Sequence, residues 1–266
     1  MMSFGLQKEN MYGHKKRCQF MLSTIKSYYK SQEERIRILD VGCGTGEMIT
    51  LPIAEAGYDI TGIDMDINSI NRARKMNKFK NATFLCENLE SFIPTEKYDV
   101  IICSEVLEHL ENPQKALSIM RKLMEDDGIL IITIPNGFGP FEIENLIFYK
   151  TGLLRVMNKV KKIITSTFEV MKKCDKKKEN DVHMTENIEC GHIQFFTMKK
   201  FKKMIEECGL KIEKMSKSSF LAGPVTNFIF GNSNRFINWN VNRVVNVLPY
   251  FLCSGWYFVI KLDKER

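Results

Sequence analysis

The feature that most constrains this chain is the run Ile36-Arg37-Ile38-Leu39-Asp40-Val41-Gly42-Cys43-Gly44-Thr45-Gly46. Residues 36–41 form a short apolar stretch with a carboxylate near its end, the pattern of a buried parallel strand. Three glycines at alternate positions follow, and a helical pattern begins at Glu47-Met48-Ile49. A chain leaving such a strand must turn sharply into its helix. Glycine accepts both the positive φ of that turn and the close approach of a ligand. The helix N-terminus presents free N–H groups and the positive end of a dipole to whatever binds. Many α/β proteins carry a glycine-rich turn, so the residues downstream decide its meaning.

Strand and helix signals then alternate. Residues 8–30 read as an N-terminal helix with Cys18, Met21, Leu22 and Ile25 on one side. After strand one (36–41), a helix is expected over 47–56, kinked or shortened by Pro52 and stopped by Gly57. Strand two is 58–63, a helix covers 67–76, and strands three and four are 82–86 and 98–103. The helix 113–124 starts on Pro113 and presents Ala116, Leu117, Met120, Leu123 and Met124 as its apolar face. Asp127-Gly128 is read as the turn into strand five, 129–134. Five strands alternating with helices predict a parallel sheet with right-handed crossovers. The rhythm breaks over 135–191 and resumes with a helix from the N-cap Thr197 to Cys208, stopped by Gly209. Strands six (210–215) and seven (256–262) complete the set. The expected fold is α/β: a Rossmann-like, seven-stranded, mostly parallel sheet with helices on both faces. The organisation is one domain over 1–266, made of an N-terminal helix (1–35), a cofactor-binding core (36–136), an insertion or lid (137–190) and the remainder of the sheet with an apolar cap (191–266).

Ligands of open parallel sheets bind outside the carboxyl ends of the strands, where strand order reverses. Four groups fall at those ends: the 40–46 turn, Asp64 closing Thr61-Gly62-Ile63-Asp64, Glu87-Asn88, and Ser104-Glu105-Val106-Leu107-Glu108-His109. A carboxylate at the end of strand two can accept hydrogen bonds from both hydroxyls of a ribose. Over residues 34–136 and again over 191–215 the chain resembles the class I S-adenosylmethionine-dependent methyltransferases. Asp40-Val41-Gly42-Cys43-Gly44-Thr45-Gly46 matches that family's first motif at every position. The resemblance implies S-adenosyl-L-methionine as cofactor, with the glycine turn facing its methionine part, Asp64 its ribose and Glu87 its adenine amino group. The family usually carries Asp where Glu87 stands. The cofactor-binding set is therefore Asp40, Gly42, Cys43, Gly44, Thr45, Gly46, Asp64, Met65, Glu87, Asn88 and Ser104.

Glu105-Val106-Leu107-Glu108-His109-Leu110 resembles the segment after strand four in the ubiquinone-biosynthesis O-methyltransferases. If helical, it places Glu105, Glu108 and His109 at i, i+3 and i+4, on one face. Two carboxylates and an imidazole can hold a divalent cation: the carboxylates suit Mg²⁺, while the histidine leans toward Mn²⁺ or Zn²⁺. In some relatives, small-RNA 2′-O-methyltransferases among them, a similar set is completed by a later histidine, for which His192 is the candidate. The competing reading has Glu108 and His109 in local surface pairs and His192 merely preceding its helix. Without a metal, His109 or His192 is the candidate general base. Pro135-Asn136-Gly137-Phe138-Gly139-Pro140-Phe141-Glu142 reads equally as a wall of the acceptor pocket or as a packed turn.

Charge narrows the partners. The chain carries a net +7, but eight lysines against Glu169 and Asp175 between 159 and 178 supply six of those charges. The remainder is near neutral, which argues against nucleic acid. The lysine-rich segment reads as a solvated stretch, with a polyanion or anionic-lipid contact as its alternative. Residues 220–254 read as a cap over the sheet, with a peripheral membrane contact as the second reading. The eight cysteines form no C-x-x-C pair, and the opening residues are polar and lysine-rich. Together these point to a cytoplasmic protein with reduced thiols. Cys190 and His192 with His183 could be a metal fragment, though a loop that happens to carry them is the simpler reading. The expected activity is methylation of a small-molecule hydroxyl. The alternatives are RNA 2′-O-methylation and a non-catalytic cofactor-binding or membrane-surface module.

Overall fold

A computed structural model describes residues 8–29, 35–150 and 192–265 of the chain. The lysine-rich segment 159–178, His183 and Cys190 lie outside the described residues. Seven strands form one sheet in the order β3-β2-β1-β4-β5-β7-β6. They are β1 Arg37–Val41, β2 Asp59–Asp64, β3 Ala82–Cys86, β4 Tyr98–Ser104, β5 Met124–Pro135, β6 Leu210–Lys217 and β7 Gly255–Leu262. The first five pair in parallel, as their alternation with helices predicts. β7 inserts between β5 and β6 and runs antiparallel to both.

The inner strands are buried on both faces, so each face carries its own apolar layer. Leu39, Val41, Ile101, Cys103, Leu130 and Ile132 point to one side. There they meet α4 (Pro113–Leu123) and α6 (Met198–Glu207) through Leu117, Met120, Phe201 and Ile205. Ile38, Val100, Ile102, Ile129 and Ile131 point to the other. They meet α1 (His14–Tyr28), α2 (Thr50–Glu55) and α3 (Ile67–Met76) through Met21, Ile25, Leu51, Ile53 and Ile70. Side chains alternate across a strand, so one run of mixed Ile, Leu and Val feeds both layers. Each such side chain contributes roughly 1.5–3 kcal/mol by leaving water.

Several boundaries depart from the sequence reading for local reasons. Helix α1 starts at His14 rather than residue 8 because Gly13 adopts φ +70°, and Glu9 accepts from the N–H groups of Lys15 and Lys16. Helix α2 is shorter than 47–56: the glycine turn runs on to Ile49, and Pro52 falls in the first turn, where its missing N–H costs nothing. Asp127-Gly128 is no turn. Strand β5 stays extended through it and pairs Met124 with Tyr98 across a register shift. A side chain at 128 would stand 3.0 Å from the Asp99 and Glu125 carbonyls. Within the expected insertion, Pro140–Lys150 forms a helix, α5. Among the described residues, the segment between β6 and β7 holds α7 (Pro224–Phe230) and α8 (Asn234–Asn238). From α8 the chain continues through a π turn, Trp239–Val244, into Val245–Val247.

The chain moves outward from β1 to β2 to β3 and returns to β4 on the other side of β1. The carboxyl ends of β1 and β4 therefore flank the switch point, where an open sheet leaves a crevice.

Candidate active site

The glycine turn occupies one wall of that crevice. Gly42, Gly44 and Gly46 have φ of 71°, 53° and 73°. A Cβ at 42 would lie 2.5 Å from a Val106 methyl, and one at 46 would lie 2.6 Å from the Phe84 ring. The turn is anchored from β2, since the N–H groups of Gly42 and Cys43 both donate to the Ile63 carbonyl. Asp64 then fixes its apex. One carboxylate oxygen accepts from the Gly44 N–H at 2.8 Å, and the other accepts from the Asp66 N–H at 2.9 Å. Each oxygen retains a second lone pair, which is the acceptor set that the two hydroxyls of a vicinal diol require.

Asp40 is buried below the turn and accepts from the Thr50 hydroxyl at 2.6 Å. Burial raises its pKa to about 7, against the Thr50 hydrogen bond, with the Asp64 charge adding to the rise. Its position favours bracing the turn from beneath. Met65 is 72% exposed beside Asp64, and Glu87 and Asn88 are exposed after β3. The Glu87 N–H donates to the Asp64 carbonyl, which brings the second and third strand ends together. Asn88 itself builds a turn, accepting from the N–H groups of Glu90 and Ser91.

The segment after β4 faces the glycine turn through Val106. It is not a helix carrying Glu105, Glu108 and His109 on one face. Glu105 sits at φ +55°, the one non-glycine residue with positive φ among those described, and a 3₁₀ turn, Leu107–His109, follows. That conformation costs roughly 1–2 kcal/mol. It is held by the Glu105 N–H donating to the Thr133 carbonyl and by the Thr133 hydroxyl donating to the Glu105 carboxylate at 2.8 Å. With the Thr133 proton so used, the Ser104 hydroxyl donates to Thr133 at 2.8 Å. Arg17, on α1, completes this arrangement 3.3 Å from the same Glu105 oxygen.

Glu108, His109 and His192 come together: one ligand atom of each lies within 4.8 Å of the others. Glu105 is outside this set, its carboxylate committed to Arg17 and Thr133. Glu108 is 1% exposed, and its Oε2 has no hydrogen-bond partner among the described residues. Burial, with the charge of Glu105 adding to it, drives its pKa well above the carboxylate range. The Glu108 carbonyl accepts the N–H groups of Ile193 and Gln194, which pins the two histidine-bearing segments to each other. His192 Nδ1 lies 2.7 Å from a Glu142 carboxylate oxygen, and its ring stands 5.2 Å from that of His109, edge to face. Phe141 and Phe195 flank it at ring separations of 6.5 and 6.4 Å.

The segment 135–142 acts both as a packed turn and as a site wall. A Cβ at Gly137 would collide with the backbone of Phe195 at 2.7 Å, while Phe141 and Glu142 reach His192. Arg17 and Glu142 were not candidates from sequence. Arg17 lies 25 positions before the turn on an unremarkable basic helix, and Glu142 is one acid in a segment whose helix was not foreseen.

Residues 12–215 match the model of a family described as a methyltransferase domain. The ubiquinone biosynthesis O-methyltransferase of Rickettsia akari (strain Hartford) is 33% identical over 122 residues, covering 45% of this chain and 48% of that protein. The protein of the same name from Actinobacillus pleuropneumoniae serotype 7 is 34% identical over 108 residues, covering 38% and 46%. The chain thus spans about half the length of the curated relatives it matches. The crystal structure of magnesium protoporphyrin IX methyltransferase from Synechocystis PCC 6803 with bound SAH aligns at a TM-score of 0.55 and 16% identity, over 93% of this chain and 82% of that one. An S-adenosylmethionine-dependent methyltransferase from Clostridium acetobutylicum aligns at 0.54 and 12%, over 94% and 92%. At those identities the likeness establishes the fold. With a family model covering most of its length and motif residues lining the switch point, the chain belongs to the methyltransferase-domain family.

Proposed function

We propose that this protein transfers the methyl group of S-adenosylmethionine to a hydroxyl of a small molecule, assisted by a divalent cation. One observation carries the reading. Val106 packs on Gly42, so a glycine turn braced by Asp64 directly adjoins a cluster of one buried carboxylate and two imidazoles.

The turn and its neighbours suit the donor. Asp64 offers its free lone pairs to the ribose hydroxyls, and Glu87 stands at the next strand end for the adenine amino group. The glycines let the backbone approach the methionine part, and Arg17 contributes positive charge toward its carboxylate. The bound cofactor supplies a methyl group on a sulfonium, open to in-line displacement. The protein's task is then alignment, which is able to supply roughly 7–11 kcal/mol of a barrier.

A hydroxyl acceptor must also lose a proton. With Nδ1–H donating to Glu142, His192 Nε2 carries a free lone pair that would take the cation, and without a cation the same lone pair would take the proton. Glu108, His109 and His192 would hold the cation, and the unpartnered Glu108 Oε2 is the donor such an ion would satisfy. One carboxylate with two imidazoles leans toward Mn²⁺ over Mg²⁺. The cation would lower the acceptor's pKa as a Lewis acid. Phe141 and Phe195 give the pocket apolar sides, which suits an aromatic or otherwise apolar acceptor.

The test is a methyl-acceptor screen over phenols, sugars and lipid extracts with labelled cofactor, in Mn²⁺ and in EDTA. The proposal expects transfer to a hydroxyl that EDTA and Glu108→Gln each abolish. Transfer indifferent to both would remove the cation, and methyl transfer confined to nitrogen or carbon acceptors would overturn the proposal.

A further inference from the structure

The segment between β6 and β7 combines features that the site does not use. From residue 215 to residue 260 it contains no aspartate or glutamate, and its only charges are Lys217, Arg235 and Arg243. It also carries the largest outward apolar side chains of the molecule's carboxyl-terminal part. Phe228, Ile229 and Phe230 on α7, Trp239 on the π turn, and Val247 and Phe251 beyond it are all exposed. Phe251 reaches 69% and Val247 82%. Ordinary surfaces scatter such residues singly and surround them with mixed charge.

The helical stretch from Asn234 to Val247 shows how they are arranged. Ile237, Asn240, Val241 and Val245 face inward and are buried. Arg235, Trp239 and Arg243, four residues apart in turn, are exposed along the other side. The Phe230 and Phe236 rings stack at 4.2 Å and Trp239 tilts against Phe236 at 5.4 Å, an aromatic ridge on the stretch that carries the two arginines. Polar positions on this side are asparagines that bond to one another along the helix, Asn242 to Asn238 and Asn246 to the Asn242 carbonyl. An arginine–tryptophan face without acidic groups suits the headgroup zone of a bilayer, where rings sit at the acyl boundary and guanidinium groups meet phosphates. A two-fold contact between copies would instead set this cationic face against itself. No helix among the described residues is long and apolar enough to cross a membrane, so the contact would be peripheral.

We propose that the helical cap between β6 and β7 docks this protein on an anionic lipid surface, with Trp239 and Phe251 entering the interface and Arg235 and Arg243 contacting lipid phosphates. Helix α5 adjoins the same cap, since the Glu144 carboxylate accepts from the Thr226 hydroxyl at the start of α7.

The protein contains its own reporter. Of its two tryptophans, Trp256 is 1% exposed inside the sheet and donates to the Tyr250 carbonyl, so a change in emission on docking belongs to Trp239. The full chain is titrated with phosphatidylcholine vesicles with and without phosphatidylglycerol, following emission and co-sedimentation. The expected result is a blue shift and co-sedimentation with the anionic vesicles, the shift disappearing in Trp239→Phe. Replacing both arginines, Arg235→Gln with Arg243→Gln, should weaken binding roughly thirtyfold, at about fivefold per charge. All three positions are exposed, and unchanged melting confirms that the variants fold. No methyl donor is present, so the outcome is independent of the catalytic reading. Failure to bind anionic vesicles would overturn the proposal. So would binding with unshifted emission and indifferent arginine variants, which would place the contact elsewhere on the chain.

Discussion

Glu108→Gln tests the cluster at its most exacting point, because its effect should reverse with the cation. Glu108 is 1% exposed and one of its oxygens has no hydrogen-bond partner among the described residues, so without an ion the side chain is held protonated, with a desolvated polar atom left unsatisfied. Such a group costs about 1–3 kcal/mol. The amide keeps the shape and, unlike the carboxyl, cannot ionise to meet a cation. In a chelator, the variant should therefore melt at or above the unmodified protein. At a cation concentration of about a hundred times Kd, the unmodified protein gains about 2.7 kcal/mol. For a chain of this size that is a rise in Tm of roughly 5–10 °C. The variant has lost the one anionic ligand and should gain little. The assay is thermal melting of both proteins in EDTA and across a Mn²⁺ titration, with Ca²⁺ as the harder, oxygen-preferring control. Equal shifts in both proteins, or none in either, would refute the assignment of Glu108, His109 and His192 as ligands.

Asp40→Asn should flatten the pH dependence of stability. The folded protein keeps the Asp40 proton up to about pH 7, whereas a free carboxyl releases it near 3.8. Its contribution is therefore full at low pH and lost as pH rises between those values, by up to about 4 kcal/mol. Urea midpoints from pH 4 to 8 would show the slope in the unmodified protein and a shallower one in the variant, where Glu108 still contributes. Gly46→Ala should destabilise by at least about 2 kcal/mol, since φ is +73° and the new methyl meets Phe84 at 2.6 Å; chemical denaturation measures it. Asp64→Asn should weaken S-adenosylhomocysteine binding roughly thirtyfold or more in calorimetry, because two charge-assisted bonds to the ribose become weaker.

Much of the fold was legible because local rules decided it. Ile67–Met76 and Ala82–Cys86 were read with their boundaries intact: Asp66 caps the helix from its first position, and the strand is a short apolar run between turns. The N-cap Thr197 and the stop at Gly209, with φ +67°, were equally plain. What failed depended on distant contacts. Asp127-Gly128 has the composition of a turn, yet pairing with β4 keeps it extended. Glu105 looked like the first residue of a helix, but Thr133 and Arg17, far away in sequence, hold it in the left-handed region. The cofactor side of the site follows from strand ends and a contiguous motif. Of its other half, Glu108, His109 and His192 follow from the family resemblance, whereas Arg17 and Glu142 do not, because they reach it from two further segments. No spacing rule links them.

The turn at residues 42–46, with Asp64, is proposed to seat a methyl donor. Isothermal calorimetry with S-adenosylhomocysteine on the full chain addresses it most directly. The expected result is one site per chain with a micromolar Kd, weakened by Asp64→Asn. No heat of binding at millimolar ligand, with the protein folded by circular dichroism, would contradict it.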